Sequence, residues 1–329
     1  MSTGDANEGT DSSPKAQDLP EKLLEASKSL AKTLDEDSGR RKAIPIRKSF
    51  VRVEKGADAP PPLAELVKRG GRGGGVIVKL YLALVWRCSG GDFDTDISAR
   101  TWANLLGLGD PNIKGARRIA KAIKILEECK LISVSPRRGE PSVITLLDES
   151  GDKSPYDLPS TSYATKKLRR DIYFKVPTTL WTEGFIQRMS APAITMLLIL
   201  LAEQSGDVSP GESDGKEVWW STERFPQQYF VSPSMRSRGT KDLRDLNLLY
   251  VQRASVAPPG NKRTFARERV RNVYRLQNQA LVFVDEKSST GKMAPKTAPK
   301  KGPIKKRSSP LEQTLKAWRE AGKEAQSSS

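Results

Sequence analysis

Apolar positions between residues 76 and 147 fall into a succession of short blocks. Residues 76–88 are apolar almost throughout and predict a buried helix. Residues 94–97 suit a short strand. Ser98 can cap a helix reaching Leu106, with Trp102, Leu105 and Leu106 turned inward. Gly107-Leu108-Gly109 breaks that helix. Asp110 and Pro111 then open a longer one, as cap and first helical residue, running to about Lys130. Residues 132–135 and 142–147 flank a turn that starts at Pro136 and ends at Pro141, which predicts a β-hairpin.

The order then recurs. Residues 173–176 suit a strand and 178–189 a lead-in helix, before the apolar helix 191–204. A strand is expected at 218–220, a helix capped by Ser221 and reaching Phe230, and a long helix from Ser232-Pro233 to about Leu246. Residues 249–254 and 269–276 form the second hairpin. One offset relates the halves: Leu80 and Leu197, Leu84 and Leu201, Leu126 and Leu243, Leu131 and Leu248, and Val134 and Val251 all lie 117 positions apart. A constant offset across separate elements indicates an internal duplication.

The flanks read differently. Residues 1–60 are polar, and a short amphipathic helix over 21–34 has no core near it in sequence, so this segment is expected to be disordered or loosely structured. The expected division is a domain over 61–148, a linker over 149–170, a domain over 171–280 and a basic disordered tail over 281–329. Residues 69–75 read RGGRGGG with no Lys-Ser/Thr after them. This is no phosphate loop, and a flexible lead-in is expected. Residues 310–321, with Leu311, Leu315 and Trp318, suit a short helix that docks a protein partner. The fold class expected is mainly α with small β-hairpins (α+β).

Charge narrows the function. Lys and Arg number 56 against 39 Asp and Glu, a net charge of +17, which favours a polyanionic partner. The chain has no histidine and two cysteines, Cys88 and Cys129, both in apolar helical stretches and expected to be buried thiols. That composition leaves out His-based metal sites and Ser-His or Cys-His nucleophiles, so no cofactor and no enzymatic activity are expected. The most apolar run, 193–202, is too short for a bilayer span of about 20 residues. The polar N-terminus lacks the features of a signal peptide, so a cytoplasmic protein is expected, nucleoid-associated if bacterial.

The basic residues concentrate where a duplex would lie. Ala116, Ile119, Ala120, Ile123 and Leu126 form an apolar stripe. Lys114, Arg117, Arg118 and Lys121 follow i, i+3, i+4, i+7 on another face with no acid among them. In the second half Ser234, Ser237, Arg238 and Lys241 share a face, with Arg236 and Arg244 beside it. Asp242 and Asp245 dilute the charge, and Gly239 weakens the helix. Arg137 and Arg138 sit at the first hairpin tip, and Lys262, Arg263 and Arg267 in the second, with Arg269 and Arg271 on its return strand. Trp86, Trp102, Trp181, Trp219 and Trp220 read as core, which argues against a stacking platform for single strands.

The element order, the two basic helices and the paired stretches LEECKLISV and LRDLNLLYV resemble winged-helix proteins. In tandem they resemble the winged-helix replication initiators of plasmids; taken singly, each is similar to winged-helix transcription regulators. The resemblance implies two tandem winged helix-turn-helix domains, each with its second paired helix in the major groove, binding double-stranded DNA sequence-specifically. A transcriptional repressor, and an architectural or RNA-binding protein using RGGRGGG and the lysine-rich tail, are the alternative readings.

Overall fold

The computed structural model describes residues 19–38, 43–53, 59–166, 171–204, 216–255, 270–277 and 280. They form an α+β fold of helices with three small antiparallel sheets. In chain order, helix α1 (Glu21–Asp37) leads to strand β1 (Ala43–Arg47), helix α2 (Pro62–Gly70) and helix α3 (Gly74–Arg87). Strand β2 (Asp94–Thr95), helices α4 (Ala99–Leu105) and α5 (Ala116–Glu128), and strands β3 (Ile132–Ser135) and β4 (Val143–Leu146) complete a first unit. Helix α6 (Pro159–Lys166), strand β5 (Tyr173–Pro177) and the short helices α7 (Thr179–Thr182) and α8 (Phe185–Arg188) connect to α9 (Ala191–Gln204). That helix opens a second unit, which continues with α10 (Arg224–Tyr229), α11 (Pro233–Asp245), β6 (Leu249–Ser255) and β7 (Val270–Leu276).

The units repeat down to individual hydrogen bonds. Ser98 Oγ accepts from the Thr101 N–H at 3.3 Å, and Ser221 Oγ from the Arg224 N–H at 3.1 Å, starting α4 and α10 alike. Lys130 and Asn247, both with positive φ, follow the ends of α5 and α11. In each case the next amide closes back on the helix, Leu131 on the Leu126 carbonyl and Leu248 on the Leu243 carbonyl. Ile132 pairs Leu146, and Leu249 pairs Leu276. Thr95 bridges Ile144 on β4, as Val218 bridges Tyr274 on β7. Leu80, Leu197, Leu126, Leu243, Leu131 and Leu248 are fully buried, so the 117-residue offset marks equivalent core positions.

The first helices of the two units, α3 and α9, pack together. A Cβ on Gly75 would stand 3.2 Å from the Ala191 nitrogen, and one on Gly74 3.0 Å from the Val67 carbonyl oxygen. RGGRGGG is therefore no flexible lead-in. It contains the end of α2 and the start of α3, and its glycines permit close backbone approach. Arg69 pairs with Glu65 at 2.7 Å and with Glu128 at 3.7 Å.

Strand β1 pairs antiparallel with β5, Ile44 opposite Val176 and Ile46 opposite Phe174, all four buried. β1 packs on α3 and β5 on α9, so the pair ties one unit to the other. At its end lies a buried ionic cluster. Arg47 Nη1 donates to Glu149 Oε2 at 3.1 Å, Nη2 to the Asp157 carbonyl at 2.9 Å, and Nε approaches Asp171 Oδ1 at 3.4 Å. Burial pushes the Glu149 carboxyl up to about 7 against the opposing pull of Arg47.

The described part of the segment before residue 60, residues 19–38 and 43–53, is more ordered than expected. Helix α1 buries Leu30, Ala31 and Leu34 against α4 and α7, elements far away in sequence. Ser27 Oγ donates to the Leu105 carbonyl at 2.5 Å and accepts from Gln187 Nε2 at 2.9 Å. Residues 149–170 are no simple linker either, since Glu149 and Ser162 are buried and α6 forms within them. The lead-in helix over 178–189 is two helices, parted at Gly184 with φ of 77°. The strand expected at 218–220 is a single bridge at Val218. Residues 1–18, the basic tail from 281 and the segment 310–321 lie outside the described residues. No helix among the described residues is long and apolar enough to cross a membrane.

Candidate nucleic-acid interface

Helix α5 is anchored on α3 by Ile119, Ala122 and Leu126, while Ala120, expected in the buried stripe, is exposed. Its entry is a wide π-type turn over Pro111–Gly115. Asp110 stands at positive φ, and its carboxylate accepts from the Ile113 N–H at 3.3 Å and the Lys114 N–H at 3.4 Å. Gly115 lets this turn rest on α4, since a Cβ there would meet Ala103 Cβ at 3.0 Å. Lys114, Arg117, Arg118, Lys121 and Lys124 are all exposed, and Ile113 projects beside them at 57% exposure. The first turn of α5 carries no acid. Asp110 already caps the amides at the start of this helical stretch, so the exposed cations of its side, rather than its N-terminus, are the groups left to meet an anion.

Lys79 lies in α3 below this helix. It is buried, with Nζ donating to the Gln187 carbonyl at 3.0 Å. Burial, helped by the charge of Arg118, lowers its pKa to about 7.

In the second unit Ser232 Oγ accepts from the Met235 N–H at 3.2 Å and starts α11, with Pro233 in its first turn. Ser234, Ser237, Arg238, Lys241 and Arg244 are exposed. Two readings of this helix change. Asp242 does not dilute the exposed charge. It is buried, with its carboxylate hydrogen-bonded by Ser190 Oγ at the start of α9. Gly239 is a packing requirement, because a methyl group there would overlap the Pro192 carbonyl and lie 2.6 Å from Met196 Cγ.

Arg236 does not reach outward as a free contact residue. Its guanidinium lies 4.4 Å from the Phe225 ring centre and 5.1 Å from that of Tyr274, and it donates to the Tyr274 hydroxyl at 2.9 Å. It floors a groove of about 920 Å³ between α10, α11 and β7, whose walls include Ser237, Lys241, Arg244 and Arg271. Trp219 lines the same groove at 52% exposure, with the Arg271 guanidinium 4.4 Å from its ring centre. Trp219 is thus not core. The signal was an alternation along 218–220: Val218 and Trp220 point inward, and Trp219 between them points out.

The hairpin tips contribute unequally. Arg137 lies 3.6 Å from Asp96 and 3.8 Å from Glu140, an exposed cluster that offsets its charge, while Arg138 beside it is exposed. Lys262, Arg263, Arg267 and Arg269 lie outside the described residues. Among the described residues no three His, Cys, Asp or Glu side chains group as metal ligands. Cys88 is buried and Cys129 half-buried, both unbridged. No protein-family model, no curated protein and no solved structure matches this chain.

Proposed function

We propose that the chain is a sequence-specific DNA-binding protein, that each unit is a winged helix-turn-helix, and that α5 and α11 enter two major-groove segments of one duplex. The observation that carries this reading is the exposed basic face of Lys114, Arg117, Arg118 and Lys121, with no acid among them. Lys114, Arg117, Arg118 and Lys121 supply phosphate and base-edge donors, and Ile113 supplies an apolar contact for a thymine methyl. On α11 the donors are Ser234, Ser237, Arg238 and Lys241, with Arg236 holding the groove floor. Arg138 and the second hairpin extend backbone contact. The tandem arrangement favours an origin-binding, replication-initiator-like role in the cytoplasm.

The test is selection of duplex sites from a random library at about 150 mM salt, which suppresses backbone-only binding. The expected result is a two-part motif, one half of which is lost with Arg117→Ala/Arg118→Ala. That variant also flattens the slope of log affinity against log salt by about 2 if both arginines contact phosphate. No enriched motif, with parent and variant binding alike, overturns the reading.

A further inference from the structure

We propose that the groove of the second unit holds single-stranded DNA, with one unpaired base stacked on the open face of Trp219. The proposal rests on the DNA-binding reading and adds a second, chemically distinct mode to it.

Four features point to this occupant. Trp219 is a large aromatic ring left half exposed at a groove wall, whereas Trp86, Trp102, Trp181 and Trp220 are buried. One face of its ring is covered by the Arg271 guanidinium, so the exposed part belongs to the other face and the edge. Arg271 forms no ion pair among the described residues, and its Nε has no hydrogen-bond partner there. That Nε is buried, so the charge it shares is not neutralised from within and favours a phosphate beside the exposed part of the guanidinium. Lys241 and Arg244 line the groove as further cations, and Ser237 adds a hydroxyl.

Size decides between strand forms. A groove of about 920 Å³ is in the range that encloses a small organic ligand, about 300–1,000 Å³. That admits a nucleotide. Aromatic stacking with cationic flanks is how single strands are held without regard to sequence, because every base offers a π-face. A ring sandwiched between guanidinium and base gains from both contacts. The first unit has no counterpart, since Asp96 is the residue that follows the bridging Thr95, as Trp219 follows Val218. The second unit thereby has a binding mode that the first lacks: besides the duplex contacts of α11, its groove captures a strand that has left the duplex.

The experiment uses the full chain. Fluorescence anisotropy measures affinity for dye-labelled oligo(dT) of about twelve nucleotides, a length within known single-strand site sizes. A duplex carrying the selected motif, or mixed-sequence duplex if none is selected, is measured in parallel, with thermal melting as a check on folding. The expected result is that Trp219→Ala weakens oligo(dT) binding about tenfold or more, the loss expected for one stacked base. Trp219→Phe, which keeps a ring, should restore most of it, and both variants should bind duplex within about threefold of the parent. No affinity of the parent for oligo(dT), or none lost by Trp219→Ala, overturns the proposal. So does an equal loss on duplex, which would place Trp219 on a sugar-phosphate backbone, and so does tighter binding of oligo(rU), which would make the strand RNA. Arg117→Ala/Arg118→Ala separates the two readings: failure to affect duplex binding counts against duplex reading by α5, whereas the Trp219 series alone decides the groove.

Discussion

The two units share caps, hairpin register and helix ends, and differ in what underlies the third helix of each. In the first, α5 rests on α3 through Ile119, Ala122 and Leu126, and a buried amine, Lys79, lies beneath it. In the second, Gly239 stands where Ala122 stands, and Met196 where Lys79 stands. There α11 closes tightly on α9, and Trp220, Phe225, Tyr229 and Tyr274 form one aromatic group. The comparison shows which features the architecture needs. Hydrogen bonds that start and stop elements are kept, while packing beneath the third helix is free to diverge, and with it the surface above.

Three substitutions test what separates the two units. The largest effect is expected at the tie between the units. Arg47→Ala leaves Glu149 and Asp171 buried without their cation, which costs about 3–5 kcal/mol, readable in urea denaturation. An unchanged midpoint would show that the strand pair does not depend on its ionic end.

Next is the tight crossing. Gly239→Ala is expected to cost about 1–3 kcal/mol through overpacking against Pro192, although alanine is the better helix former. Stabilisation by that change would mean that the α9–α11 contact relaxes freely, as α3–α5 already does with Ala122.

Smallest is the exchange that makes the first unit like the second. Lys79→Met removes a buried amine and leaves the Gln187 carbonyl unbonded, so a net gain of about 1 kcal/mol is expected. Its pH signature is sharper than its size. The Lys79 pKa falls from 10.5 unfolded to about 7 folded, so between those values the unfolded chain binds the extra proton and parent stability rises with pH. The variant should lose that rise in melting temperature. Glu149 acts with opposite sign at lower pH. Its raised pKa makes the folded chain bind the extra proton between 4.5 and about 7, so stability falls across that window in parent and variant alike.

Much of the helix order was legible because its signals are local. Ser98, Asp110, Ser221 and Ser232 each sit within four residues of the amides they cap, and the 117-residue offset can be read by counting. Long-range partners were not legible. Ile44 and Ile46 meet β5 some 130 residues later, and α1 finds its core in α4 and α7. Neither distance leaves a trace in a local window. Gly239 read as a weakness because its neighbour, Pro192, is remote in sequence. On the candidate interface, the exposed cations of α5 follow from helical spacing. Arg236 and Asp242 were misplaced because the same spacing says nothing of an aromatic pocket or of Ser190 on another helix.

The β1–β5 pair has a consequence for how grip on a target scales with dilution. Two separate copies of one unit would have to find each other before occupying paired half-sites, and their joint hold would weaken as the protein is diluted. Here the strand pair holds the two units together within one chain, so on the proposed two-headed reading the second contact would be intramolecular once the first is made. Occupancy of a two-part site would then rise in first order with protein concentration, and the permitted spacing between its halves would be set by the fold rather than by an assembly equilibrium.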